Sequence, residues 1–144
     1  MNPKDYKDIV YNIIGAAMEV YNELGWGLLE PVYQEALKIE LDMRGIEVER
    51  EVKIACYYKN RQLDKHYSID LKVKDIILEL KTVTELSSDH RSQLFNYMRL
   101  TRSPIGLLIN FGSSDYLEGE RYMLDVKNNE CYRLDKNMNR LEET

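Results

Sequence analysis

The stretch Tyr67-Ser68-Ile69-Asp70-Leu71-Lys72-Val73-Lys74-Asp75-Ile76-Ile77-Leu78-Glu79-Leu80-Lys81 decides how the rest of the chain is read. Two β-rich runs flank the polar pair Lys74-Asp75, which has the length of a hairpin turn. With that pair as the connection, Asp70 lies directly opposite Glu79. Strand alternation sends Tyr67, Ile69, Leu71, Val73, Ile76, Leu78 and Leu80 to one apolar face. The other face carries His66, Ser68, Asp70, Lys72, Ile77, Glu79, Lys81 and Val83. Opposed residues of an antiparallel pair have Cβ atoms about 5 Å apart, where like charges repel. A divalent cation relieves such repulsion, because Mg²⁺ prefers oxygen ligands and is typically held by one or two carboxylates together with a substrate phosphate. Lys81, two residues beyond Glu79, projects from the same face, where it can position or help deprotonate an attacking water.

Outward from this hairpin, the period is helical over residues 5–24, with Ile9, Val10, Ile13, Ile14, Ala17, Val20, Tyr21 and Leu24 on one stripe. Gly25-Trp26-Gly27 ends that helix, and the tryptophan is expected to close the core beneath the loop. A second helix starts near Glu30-Pro31 and stops at Gly45, with Val32, Tyr33, Ala36, Leu37, Ile39 and Leu41 as its apolar members. Strand-like runs follow at 46–49 and 53–58, then a polar turn at 59–62 and the strand from Tyr67 to Val73. Beyond the run from Ile76 to Val83, Ser87-Ser88-Asp89 caps a helix reaching about Leu100, and Ile105 to Phe111 forms an apolar strand. A strand, a helix and a strand in succession predict a crossover that makes the last strand parallel to its predecessor. The fold class is therefore α/β, a mixed central sheet flanked by helices. One domain covers 1–144, with its core at about 5–112 and a C-terminal hairpin or tail at 113–144, centred on Tyr122 to Val126.

The chain has 144 residues, enough for one core and too few for a second domain of ordinary size. No apolar window has the length of a membrane span, and Met1-Asn2-Pro3-Lys4-Asp5 lacks the basic-then-apolar order of a secretory signal, so a cytoplasmic location is the expectation. Cys56 and Cys131 are widely separated and unpaired by any C-x-x-C spacing, which argues for free thiols. The formal charge of −5 is unevenly spread. Residues 44–102 hold 12 Lys+Arg against 9 Asp+Glu, whereas 1–43 hold 3 against 8 and 103–144 hold 5 against 8. The absence of G-x-G-x-x-G, G-x-x-x-x-G-K-[ST] and Ser-His-Asp spacing removes the dinucleotide, NTPase and serine-hydrolase classes.

Asp70, eight intervening residues, then Glu79-Leu80-Lys81 resemble the D…E-x-K signature of the PD-(D/E)XK nuclease superfamily, with Ile69 in place of its proline. Gly27-Leu28-Leu29-Glu30-Pro31-Val32-Tyr33 resembles the motif that names the GxxExxY protein family, a group assigned to that superfamily. Gln93-Leu94-Phe95-Asn96-Tyr97 resembles the Q-x-x-x-Y motif of RecB-like nucleases, and its spacing of four puts Gln93 and Tyr97 on one helical face, extended by His90. The resemblance implies a restriction-endonuclease-like core that hydrolyses nucleic-acid phosphodiesters, DNA favoured, with Mg²⁺ or Mn²⁺. It implies Asp70, Glu79 and Glu30 as metal ligands, Lys81 as the fourth catalytic residue, and Gln93 and Tyr97 as groups that bind substrate phosphate or order the metal's water shell; His90, on the same stripe in the first turn, is expected either to cap the helix or to bind substrate phosphate. Without the resemblance, Glu30 is also accounted for as an acid at a helix start, and Tyr33 as core. The alternative is a nuclease-fold module without turnover that binds nucleic acid or a protein partner. So small a domain has few elements left to clamp a duplex, so self-association or a larger partner is also expected.

Overall fold

A computed structural model describes residues 2–141 of the chain. A short 3-10 turn, Pro3–Tyr6, leads into α1 (Lys7–Leu24) and α2 (Glu30–Met43). Then come β1 (Glu49–Tyr58), β2 (Arg61–Val73), β3 (Ile76–Lys81), α3 (Ser88–Thr101), β4 (Ile105–Asn110), β5 (Glu118–Asp125) and β6 (Glu130–Leu134). The six strands form one sheet in sequential order, antiparallel throughout except for the parallel pair β3–β4, which α3 connects. The expected α/β class and the crossover strand are both present.

Each face of the sheet has its own core. Leu71, Val73, Ile76, Leu78, Leu80, Leu107 and Ile109 pack with Val10, Ile13, Ala17, Tyr33, Leu37 and Leu41 of α1 and α2. Ile69, Ile77, Leu108, Tyr122 and Leu124 pack with Leu94, Tyr97 and Met98 of α3 on the other side. β3 and β4 are buried along almost their whole length, which is why they read as unbroken apolar runs.

Register holds but the alternation does not. Leu71 pairs with Leu78 and Val73 with Ile76, as a Lys74-Asp75 connection requires. Ile69 and Leu71 nonetheless belong to opposite cores. The break lies at Asp70 and at Glu51, which faces it on β1 between the pairs Arg50–Leu71 and Val52–Ile69 and adopts a φ of +53°. The left-handed Glu51 takes its strand out of strict alternation beside Asp70, at a cost on the order of 1 kcal/mol. Tyr67 and Ile69 thus leave the expected apolar face for the α3 side, where Tyr67 is half-exposed.

Other departures are local. β2 begins at Arg61 because Lys59 and Asn60, both at positive φ, make a tight two-residue turn. β1 is one strand from Glu49, not two runs, and β3 ends at Lys81, not Val83. Trp26 does not close the core; it is 56% exposed, and the loop is held instead by Tyr33, fully buried and stacked on Phe111 at 4.4 Å. The Tyr33 hydroxyl donates to the Gly25 carbonyl at 2.6 Å and accepts from the Leu28 N–H at 3.1 Å, so it is spent on the loop and not on a carboxylate. Ile39 and Val32 face solvent, and α2 buries Gln34 in their stead. The C-terminal part forms the hairpin β5–β6, longer than the segment around Tyr122.

Candidate active site

The β2–β3 ladder stops at Leu71–Leu78, one residue short of Asp70. From there, carboxylates take over as acceptors for the main chain. Asp70 Oδ2 accepts the Leu80 N–H at 2.8 Å, and Glu79 Oε1 accepts the Asp70 N–H at 3.2 Å. Each side chain is therefore clamped to the opposite strand where the strands part, and each keeps lone pairs for another partner. Just past the site, Asn110 Oδ1 accepts the Val83 and Gly112 N–H groups at 2.9 and 3.0 Å. A Cβ on Gly112 would lie 2.2 Å from the Val83 carbonyl, so only glycine permits the approach that pins the exit of β3.

Two glutamines orient the charged groups, one from each helical layer. Gln34, buried on α2, accepts from Arg50 Nε at 2.7 Å and donates to Asp70 Oδ1 at 3.4 Å. Gln93, on α3, accepts from Lys81 Nζ at 2.8 Å and donates to the Tyr97 hydroxyl at 3.0 Å. The amide can satisfy a cation only through its oxygen, so in both cases the NH₂ group must face the other partner.

Burial dominates the electrostatics. Glu79 is 3% exposed, and burial followed by the negative charge of Asp70 pushes its carboxyl up to about 8. Asp70 is raised by burial, against the opposing pull of the Leu80 N–H and Lys81. Glu30, the first residue of α2, is raised by burial and then by Asp70, which places it within the same field. Lys81 acts on all three carboxylates in the sense that favours their charge. Tyr97 is raised by burial and then by Glu79. Among the described residues no three His, Cys, Asp or Glu side chains stand as a ready-made metal cage.

The structure thus brings Glu30, Asp70, Glu79, Lys81, Gln93 and Tyr97 into one neighbourhood. His90 is used elsewhere: its Nδ1 accepts the Ser87 N–H at 3.0 Å, closing the cap of α3. Gln34 and Arg50 were not foreseen. Gln34 has a signal in its spacing of four from Glu30 on one helix face, whereas Arg50 has none that strand periodicity reveals.

The crystal structure of SSO0001 is similar in fold, with a TM-score of 0.53 at 18% identity over 69% of this chain. The chain spans about half of that protein, 54% of its length. None of the curated proteins matches significantly. The family model for the PD-(D/E)XK nuclease superfamily matches residues 7–122, a span that runs from α1 into β5 and contains all of the residues gathered above, and the chain belongs to that superfamily.

Proposed function

We propose that the protein is a divalent-metal-dependent phosphodiesterase acting on nucleic acid, DNA in preference to RNA. The observation that carries the reading is the convergence of Asp70 and Glu79, each hydrogen-bonded to the opposite strand where the strands part, with Glu30 in the same field and Lys81 as the cation among them, a deficit of positive charge that makes all three carboxyl groups weaker acids. Buried carboxylates held in mutual repulsion destabilise a fold unless a cation is part of their function. Their hard oxygen donors fit Mg²⁺ or Mn²⁺ held by one or two carboxylates with most of its water retained, which does not call for a full protein cage. Asp70 and Glu79 are the primary ligands and Glu30 a third. The bound cation supplies charge neutralisation at the phosphate and a more acidic water.

The chain's own groups do the rest. Gln34, steadied by Arg50, fixes the rotation of the Asp70 carboxylate. Lys81 is steered by Gln93 and has two ammonium N–H bonds left, enough to hold the attacking water and a phosphate oxygen together. Tyr97 and Gln93 present a donor and an amide to the same phosphate. In hydrolysis the water oxygen forms the new bond to phosphorus, the bond to the leaving sugar oxygen breaks, and the water's proton passes to solvent while the leaving oxygen gains one.

Purified protein with Mn²⁺ is expected to cleave linear or single-stranded DNA, and Lys81→Ala to abolish cleavage without shifting the melting temperature. Unchanged turnover in Lys81→Ala sinks the assignment. Titration calorimetry is expected to show Mn²⁺ binding that Asp70→Ala removes; no binding in either protein favours a module without turnover.

A further inference from the structure

The outer part of the hairpin made by β1 and β2 departs in composition from the rest of the chain. Residues 53–67 carry Lys53, Lys59, Arg61 and Lys65 against the single acid Asp64, while the rest of the chain holds 16 Lys+Arg against 24 Asp+Glu. All four cations are exposed, and among the described residues none of them makes an ion pair. Tyr57, Tyr58 and Tyr67 are 64, 63 and 50% exposed on the same hairpin, and Lys59 lies 5.5 Å from the centre of the Tyr58 ring. Three large aromatic rings held in water beside unpaired cations are costly for an edge hairpin that has no partner.

The hairpin also leads to the carboxylates. Tyr67 packs against Tyr97 with ring centres 5.5 Å apart, and Tyr97 is bonded through Gln93 to Lys81. From Arg61 to Asp70, β2 covers about 30 Å at the usual rise of a strand, room for several nucleotides. Cations that follow a backbone together with aromatic rings that take bases describe a surface for an unpaired strand, whose base faces are free to stack. A duplex keeps its bases stacked on each other and gains only from the cations.

We infer that the β1–β2 hairpin is a binding surface for single-stranded nucleic acid that feeds an unpaired strand past Tyr67 to the Asp70–Glu79 site. The delivery rests on the phosphodiesterase reading; the binding does not. Fluorescence anisotropy of a labelled DNA of about 20 nucleotides, in chelator so that no cleavage occurs, tests it on the whole chain. The single strand is expected to bind at least about tenfold more tightly than the blunt duplex of the same sequence, and Tyr67→Ala to weaken it roughly tenfold. Lys59→Glu with Lys65→Glu is expected to weaken binding and to lower the salt slope by about 2. Equal or tighter binding of the duplex overturns the inference, as does single-strand affinity unchanged by both sets of substitutions in proteins that melt normally. Single-stranded RNA bound as tightly as DNA supports it, since a ring surface reads bases and not sugars. An inactive protein that still prefers the single strand refutes the hydrolase and leaves this surface standing; an active one indifferent to the hairpin changes does the reverse.

Discussion

Glu79 on β3 and Glu120 on β5 are buried to nearly the same extent, 3 and 6% exposed, in one row across the sheet through Leu108 of β4. Two strand spacings, about 10 Å, separate them on the face that α3 covers. Their environments are opposite. Glu120 takes both nitrogens of a fork from Arg91, Nε at 2.7 Å and Nη2 at 2.8 Å, and accepts the Tyr122 hydroxyl, with Arg133 Nη1 at 3.9 Å. Burial alone would raise its carboxyl, but these partners together hold it below the usual range. Glu79 has Asp70 and Glu30 as charged neighbours and only the Asp70 N–H and Lys81 in its favour, so it is raised. The same residue in the same layer is a structural brace where its charge is matched and a carboxyl held above its usual range where it is not.

The largest expected effect separates the two in function. Glu79→Gln should lower Mn²⁺-dependent cleavage by at least about a hundredfold, because even groups that only support a metal ligand are worth 10- to 100-fold. Glu120→Gln should leave the cleavage rate unchanged while lowering the melting temperature. Equal losses of activity in the two variants would dissolve the distinction.

Arg91→Ala is a test of the matched glutamate alone. A buried carboxylate stripped of its fork costs about 3–5 kcal/mol, which we reduce to about 2 kcal/mol because the Arg91 side chain is 34% exposed and partly screened. For a chain of this length that is a fall of roughly 4–8 °C in melting temperature. A change under one degree would show that the fork contributes little.

The last effect is the one on pH dependence, and it carries opposite signs. Glu79 releases its proton near the ordinary carboxylate value when unfolded but only at about 8 when folded, so its contribution is fully present below about 4.5 and is lost as pH rises to about 8. Glu120, lowered in the fold, stabilises above the ordinary value and loses that contribution as pH falls through its folded one. Thermal melts in chelator should therefore show Glu79→Gln flattening the decline between pH 4.5 and 8, and Glu120→Gln flattening only the acid limb. A wild-type melting temperature that rises across the first window would contradict the charge deficit at Asp70 and Glu79.

Much of the fold was legible in local patterns. The helical stripes of α1 and α2, the Lys74-Asp75 connection, the cap at Ser87 and the crossover from β3 to β4 all follow from spacing and turn chemistry, which act between residues close in the chain. The juxtaposition of Asp70 with Glu79 follows likewise from register, whereas the approach of Gln93 to Lys81 was implied only by the family resemblance. What stayed hidden depends on partners far along the chain. Trp26 reads as core by its type, yet it stays exposed while Tyr33 stacks on Phe111 in the core. His90 is the local exception: it reads as part of a helical stripe, yet its ring accepts the N–H of Ser87, three residues earlier. Glu120 reads as one more surface acid on β5, since nothing near it in sequence announces Arg91, 29 residues earlier.

The register of one hairpin was thus determined by the sequence itself, because a two-residue turn leaves the strands that flank it a single pairing. The chemistry within that hairpin was decided by the tertiary structure. Strict alternation ends beside Asp70 where Glu51 turns left-handed, α2 brings Glu30 and Gln34 to it, and the burial of Glu79 with Asp70 as its neighbour makes it a weaker acid. Alternation is a property of neighbours, but the free energy of a buried charge is set by everything that surrounds it.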